Sequence, residues 1–306
     1  MMNFNEFIEV IKSKVEVKLG DNHLVECKQV LKNNGVTYHA LHIRKEGNNT
    51  SPTIYLEPFY NIYLNQGADR VNNNLINEIT KLYTENIDSP PYMNEVWKFT
   101  DYEFAKNKIM YKLINTQQNR ELLKKVPNIP YLDLSIVFYL YFGADDNEQY
   151  TAMVYNTHKE IWGVDSEIIY HHAMANTQNA FPASIRSLQQ IMQEFAQLAN
   201  LEDFSDNKIL EPPIYVLSNT KRVNGAGVLL YANILEGFSE KRGCDLIILP
   251  SSTHEVLLIP ADNDVDFQEL QAMVKDINIT EVPAEDRLSD HVYLYERNTN
   301  TIYIAA

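Results

Sequence analysis

The stretch LIILPSSTHEVLLIP, residues 246–260, sets Ser251, Ser252, Thr253, His254 and Glu255 between two aliphatic runs. These are the side-chain types of a hydrolytic site: a serine hydroxyl becomes a nucleophile when an imidazole takes its proton and a carboxylate holds that imidazole. A second polar cluster, Asp290 and His291, opens the segment LSDHVYLY at 288–295. If the two strands are neighbours in one sheet, His254, Glu255, Asp290 and His291 would meet, and two imidazoles with two carboxylates suit a divalent metal. The catalytic candidates are therefore Ser252, His254, Glu255, Asp290 and His291, and the last four are also the candidate metal ligands. Their spacing is diagnostic of neither chemistry. The chain has no GxSxG elbow, and His254-Glu255 is followed by Val-Leu-Leu, so the second histidine of HExxH is missing. A hairpin turn fills the same place with the same residues, because Ser, Asp and His satisfy backbone groups freed where strands end.

Other constellations fail on spacing. Asp262-Asn263-Asp264-Val265-Asp266 resembles the start of a calcium loop, but Phe267 stands where the bend needs glycine and Met273 where a bidentate glutamate belongs. Asp266 and Glu269 read instead as a capping box for the next helix. Asn224-Gly225-Ala226-Gly227 lacks a third glycine, since residue 230 is Leu, and no Walker lysine follows, so it reads as a hairpin turn. His171 and His172 are adjacent on a helix and diverge by about 100°, and His158 has no ligand-spaced partner. No motif calls for a cofactor.

The elements that would position these residues are legible in outline. Phe4, Phe7, Ile8, Ile11 and Val15 repeat at helical spacing in a first helix, and Asn33-Asn34-Gly35 turns a hairpin between two strands. Val71, Leu75, Ile79 and Leu82 mark another helix. The stretch DYEFAKNKIMYKLINTQQNRELLKKV reads as a helix stopped by Pro127, followed by strands LSIVFYLYF and YTAMVYN. Asp165 caps a helix through His171, and Ser184 caps an amphipathic one with Ile185, Leu188, Ile191, Phe195 and Leu198 inward. The last section alternates strand IYVLSN, strand GVLLY, a helix to Gly243, strands DLIILP and EVLLIP, helix DFQELQAMVKDI, and a closing pair HVYLYER and TIYIA. Hairpins with single helices between them predict an α+β fold: an antiparallel sheet with helices packed on it, plus a smaller N-terminal α+β part. Pro pairs place the boundary at 94/95, giving parts 1–94 and 95–306, with a sub-boundary near 201–213.

Composition bounds what these parts can do. The chain has 306 residues, 45% hydrophobic and 22% charged, as in globular proteins. Its net charge of -15 falls as -2 over 1–100, -3 over 101–200 and -10 over 201–306. Such a surface repels phosphate backbones, so nucleic-acid binding is disfavoured and a protein with a basic surface is the expected partner. The longest apolar run, LSIVFYLYFGA at 134–144, is about half the length of a membrane span. Two cysteines, Cys27 and Cys244, form no disulfide framework. With no signal-peptide pattern at the N-terminus, a cytoplasmic location is expected.

The stretches RKEGNNTSPTIYLEPFY, FTDYEFAKNKIMYKLINTQQNRELLKKVP, WGV, FPASI, VNGAGVLLY, LIILPSSTHEVLLIP and EDRLSDHVYLYER, in this order, resemble the family known as domain of unknown function 5688. The resemblance runs from about residue 20 to 300. It implies a bacterial cytoplasmic protein of Firmicutes, often encoded near mobile elements, and carries no activity or catalytic residue over to this chain. Sequence alone therefore points to a non-enzymatic binding or regulatory protein engaging a partner through Asp262, Asp264, Glu281, Glu285 and Asp286. The alternatives are a hydrolase or metal-dependent enzyme at the 251–255 hairpin and 290–291, and an acidic mimic of nucleic acid.

Overall fold

The computed structural model describes residues 1–45, 53–66, 73–87, 98–144, 149–198, 212–261 and 265–306. The chain divides into two units, Met1–Val96 and Trp97–Ala306. The first is built on helix α1 (Phe4–Leu19), which opens with a reciprocal cap between Asn3 and Glu6 and buries Phe7, Ile8, Ile11 and Val15 at the predicted spacing. Strands β1 (His23–Leu31), β2 (Thr37–Lys45) and β3 (Thr53–Tyr55) form a three-stranded sheet in that order. Helices α2 (Glu57–Gln66) and α3 (Asn73–Ile87) complete the unit. Val25, Leu41 and Ile43 from the sheet meet the α1 stripe together with Tyr63, Ile79 and Tyr83.

The second unit holds two antiparallel sheets, so the fold is α+β. It begins with α4 (Tyr102–Ala105), β4 (Ile109–Asn115), α5 (Arg120–Leu123), β5 (Asn128–Tyr131), β6 (Leu134–Ala144) and β7 (Gln149–Met153). β6 is the axis of the first sheet: β4 lies along one edge, and β5 and then β7 share the other. Here the expected helix over residues 101–126 is corrected. Its middle, IMYKLIN, is strand β4, almost wholly buried. A strand covered on both faces loses its polar alternation, so its apolar run fits a helix as readily.

Helices α6 (Asn156–Trp162) and α7 (Ser166–Ala180) follow, then β8 (Ala183–Ser187), α8 (Leu188–Leu198), β9 (Tyr215–Asn219) and a 3-10 helix over Gly225–Leu230. The chain ends with α9 (Ile234–Arg242), β10 (Leu246–Leu249), β11 (Val256–Pro260), α10 (Phe267–Thr280), β12 (Tyr293–Glu296) and β13 (Thr301–Ile304). The second sheet runs β13-β12-β10-β11-β9-β8. β10 and β12 are thus neighbours, pairing Ile248 with Tyr293. Two further expectations are corrected. The α8 cap is Ser187, whose Oγ accepts from Gln190 N at 3.1 Å, while Ser184 and Ile185 belong to β8 and Phe195 stands 62% exposed.

The expected strand GVLLY is the 3-10 helix, and its two glycines explain why. Tyr111 donates to the Gly227 carbonyl at 2.8 Å, and its ring leaves a Gly227 side chain only 3.1 Å of room. A Cβ on Gly225 would overlap the Ser218 hydroxyl and the His254 carbonyl oxygen, far inside van der Waals contact. Gly237 in α9 faces open space by contrast. Gly225→Ala is expected to lower the unfolding free energy by about 2–3 kcal/mol through overpacking, whereas Gly237→Ala should raise it by about 0.5–1 kcal/mol by its helix propensity. Denaturant midpoints of the two variants check both signs.

Candidate functional site

The link between β10 and β11 is a buried piece of backbone with neighbours on both flanks. On one side it pairs with residues 286–289: Ser289 N donates to Pro250 O at 2.9 Å, Leu288 N to Ser251 O at 3.0 Å, and Thr253 N to Asp286 O at 2.8 Å. On the other, Ala226 N donates to Thr253 O at 3.2 Å and the Ser218 hydroxyl to His254 O at 2.7 Å. Ser252 is buried, and its hydroxyl accepts from His254 N at 3.0 Å. That bond makes the Ser252 oxygen part of the turn.

The His254 ring has both nitrogens engaged. Asn224 N–H donates to Nδ1 at 3.3 Å, and Nε2 lies 3.1 Å from Asp286 Oδ1. The two contacts pull the proton balance in opposite directions. Asp286 favours imidazolium, while the Asn224 amide requires a bare Nδ1. The shorter contact, to a full charge, prevails: the His254 pKa is raised, first by its hydrogen bond to Asp286, against burial, with the charges of Asp286 and Glu255 helping and Lys112 opposing. A folded value above the ordinary one of about 6.5 gives stability that is complete below that pH and fades as pH rises through the folded value. Asp286→Asn should therefore destabilise most at about pH 6, with the deficit shrinking by about pH 8.5; unfolding measured at both pH values checks the trend.

The second cluster is centred on Asp133, in the two-residue turn between β5 and β6. Leu132 beside it is held at φ 54°, a left-handed conformation unusual for leucine. Asp133 Oδ2 accepts from the Ser289 hydroxyl at 2.7 Å and from His291 Nδ1 at 3.0 Å, and Oδ1 accepts from the Tyr293 hydroxyl. Ser289, His291 and Tyr293 are spaced two apart where the chain bends at Asp290 and His291 into β12, and all three side chains reach Asp133. Ser289 Oγ also accepts from His291 N at 3.0 Å. Burial, then the Asp133 charge, drives the Tyr293 phenol far above its ordinary pKa, so it stays a donor. The carboxylate side chain is 18% exposed and the imidazole 42%. Among the described residues nothing bonds to His291 Nε2.

Asp290 has a different partner: Asn278 Nδ2 donates to its Oδ1 at 2.8 Å. Glu255 is half-buried and adds only its charge to His254. The four predicted ligands thus keep separate company: His254 with Asp286, His291 with Asp133, Asp290 with Asn278. Among the described residues, no three His, Cys, Asp or Glu side chains are grouped to hold a metal ion. His158 accepts at Nδ1 from Tyr155 N at 3.2 Å, and His171 and His172 meet edge to face within α7. Sequence reasoning missed Asp133, Ser289 and Tyr293. The alternation of 289, 291 and 293 was a usable signal; nothing in the sequence pointed to Asp133.

Residues 4–297 match the model of a protein family described as a family of unknown function (DUF5688). The chain belongs to the DUF5688 family. No curated protein and no solved structure matches it. The DUF5688 match spans both imidazole–carboxylate pairs, and among the described residues no helix is long and apolar enough to cross a membrane. In this DUF5688 protein Asp133→Ala would leave the Tyr293 hydroxyl buried without an acceptor and should cost about 2–3 kcal/mol. Asp290→Ala, on an exposed position, should stay within about 1 kcal/mol. Thermal or denaturant unfolding separates the two.

Proposed function

We propose that the C-terminal unit performs acid–base chemistry at His291. One observation carries this reading: Nδ1 is bonded to a carboxylate while Nε2 has no partner among the described residues on a side chain 42% exposed. Asp133 fixes the tautomer with the proton on Nδ1, which leaves the Nε2 lone pair outward to take a proton. Tyr293 and Ser289 hold Asp133 as an acceptor. Ser289 is 2% exposed and already gives its proton to Asp133, so the group that His291 activates is a water or a substrate hydroxyl. The chemistry is then direct hydrolysis or hydroxyl transfer without a seryl intermediate. Two grooves of this unit, one beside Tyr215 and Arg242 and one beside Ile247 and Met273, are lined by none of these residues.

Long-range nitrogen–proton correlation spectra test the tautomer directly. The neutral His291 ring should show a proton on Nδ1 and none on Nε2, and Asp133→Asn should abolish that preference. The opposite tautomer in the wild type overturns the reading. Against a panel of peptide, ester and phosphodiester substrates, any turnover found should fall by roughly 100-fold or more in His291→Ala, and turnover indifferent to that change also overturns it.

A second reading, contact with a protein of basic surface, is supported by the charge of -10 over residues 201–306 and by Glu281, which is exposed. Asp286 is engaged by His254, Glu285 is half-buried, and Asp262 and Asp264 lie outside the described residues. Such contact is screened as salt rises, and Glu281→Lys would weaken it.

A further inference from the structure

The groove beside Arg242 is the more capacious of the two, about 620 Å³, within the range of small-ligand sites. It is lined by Ile185 of β8, Ile214 and Tyr215, and by Phe238, Lys241 and Arg242 of α9. The Arg242 guanidinium lies 4.4 Å from the centre of the Tyr215 ring and 5.5 Å from that of Phe238, with the two rings edge to face at 5.0 Å. Stacking uses the faces of guanidinium and ring and leaves the N–H groups at the rim. Neither Arg242 nor Lys241 forms an ion pair with any described residue.

Both cations sit in the last turn of α9, where they offset the negative end of the helix dipole. That dipole amounts to only about half a unit charge, so most of their positive charge is left over. The same groove is lined by aromatic and aliphatic side chains and by Gln189 and Gln190. We infer that the groove binds a small organic anion, with an oxyanion head held by Arg242 and Lys241 and an apolar body against Ile185, Ile214 and Phe238. A planar fork of N–H donors pairs bidentately with carboxylate or phosphate alike. The site is independent of His291, so the two proposals stand or fall separately.

Isothermal titration of the full chain with 3-phenylpropionate, phenyl phosphate, 3-phenylpropanol and inorganic phosphate tests it. The expected result is binding of at least one of the two organic anions, weakened roughly tenfold by Lys241→Gln or Arg242→Gln, with the neutral alcohol silent and inorganic phosphate weaker. Preference between the two anions identifies the head group. Lys241 is exposed at a helix end, so Lys241→Gln keeps the test valid if Arg242→Gln disturbs packing on Tyr215; unfolding midpoints report on both. The inference is overturned if neither organic anion binds at millimolar concentration, if inorganic phosphate binds as well as phenyl phosphate, or if binding is undiminished in Lys241→Gln.

Discussion

A peptide link taken out of water must find a partner for each of its N–H and C=O groups. The connection over residues 250–255 is such a link, and much of the second unit is arranged to satisfy it. Residues 286–289 run along one side, and the 3-10 helix with the end of β9 closes the other. Gly225 is glycine because His254 O and Ser218 Oγ occupy the space a side chain would need. The polar residues between the two aliphatic runs are then chiefly the fastenings of a buried crossing point.

The same constraint separates two histidines of similar surroundings. Each has a carboxylate about 3 Å away, at 3.1 Å for His254 and 3.0 Å for His291. His254 lies inside the crossing and spends its second nitrogen on the Asn224 amide. His291 lies where the paired segment emerges into β12, and its second nitrogen faces outward. The difference in chemical potential comes from backbone geometry, since the residue types are alike.

Much of this fold was legible in local pattern. The α1 stripe, the hairpin at Asn33–Gly35 and the strands β6, β10 and β11 follow from spacing that survives folding unchanged. Failures came where tertiary contact decides. IMYKLIN is buried from both sides and carries no polar phase to read, and GVLLY is bent into a 3-10 helix by close approach to Tyr111 and His254. At the site, adjacency suggested Asp290 as the partner of His291, but the chain bends there and Asp290 bonds to Asn278 while His291 bonds to Asp133. The true partner, Asp133, is reached through a pairing of two sheets that no short window of sequence encodes.

Asp133 bonds to residues 156, 158 and 160 positions further along the chain. At translation rates of about 5–20 residues per second, the carboxylate waits roughly 8–30 s for those partners to be made. During that interval the β5–β6 turn must hold its acid in water, with Leu132 already committed to a left-handed bend if the hairpin has formed. Closing so long a loop is slow relative to local pairing. The imidazole–carboxylate pair at His291 therefore forms only once the segment leading into β12 has been made, and a ribosome-bound chain would carry the sheet of β4 to β7 before it carried its site.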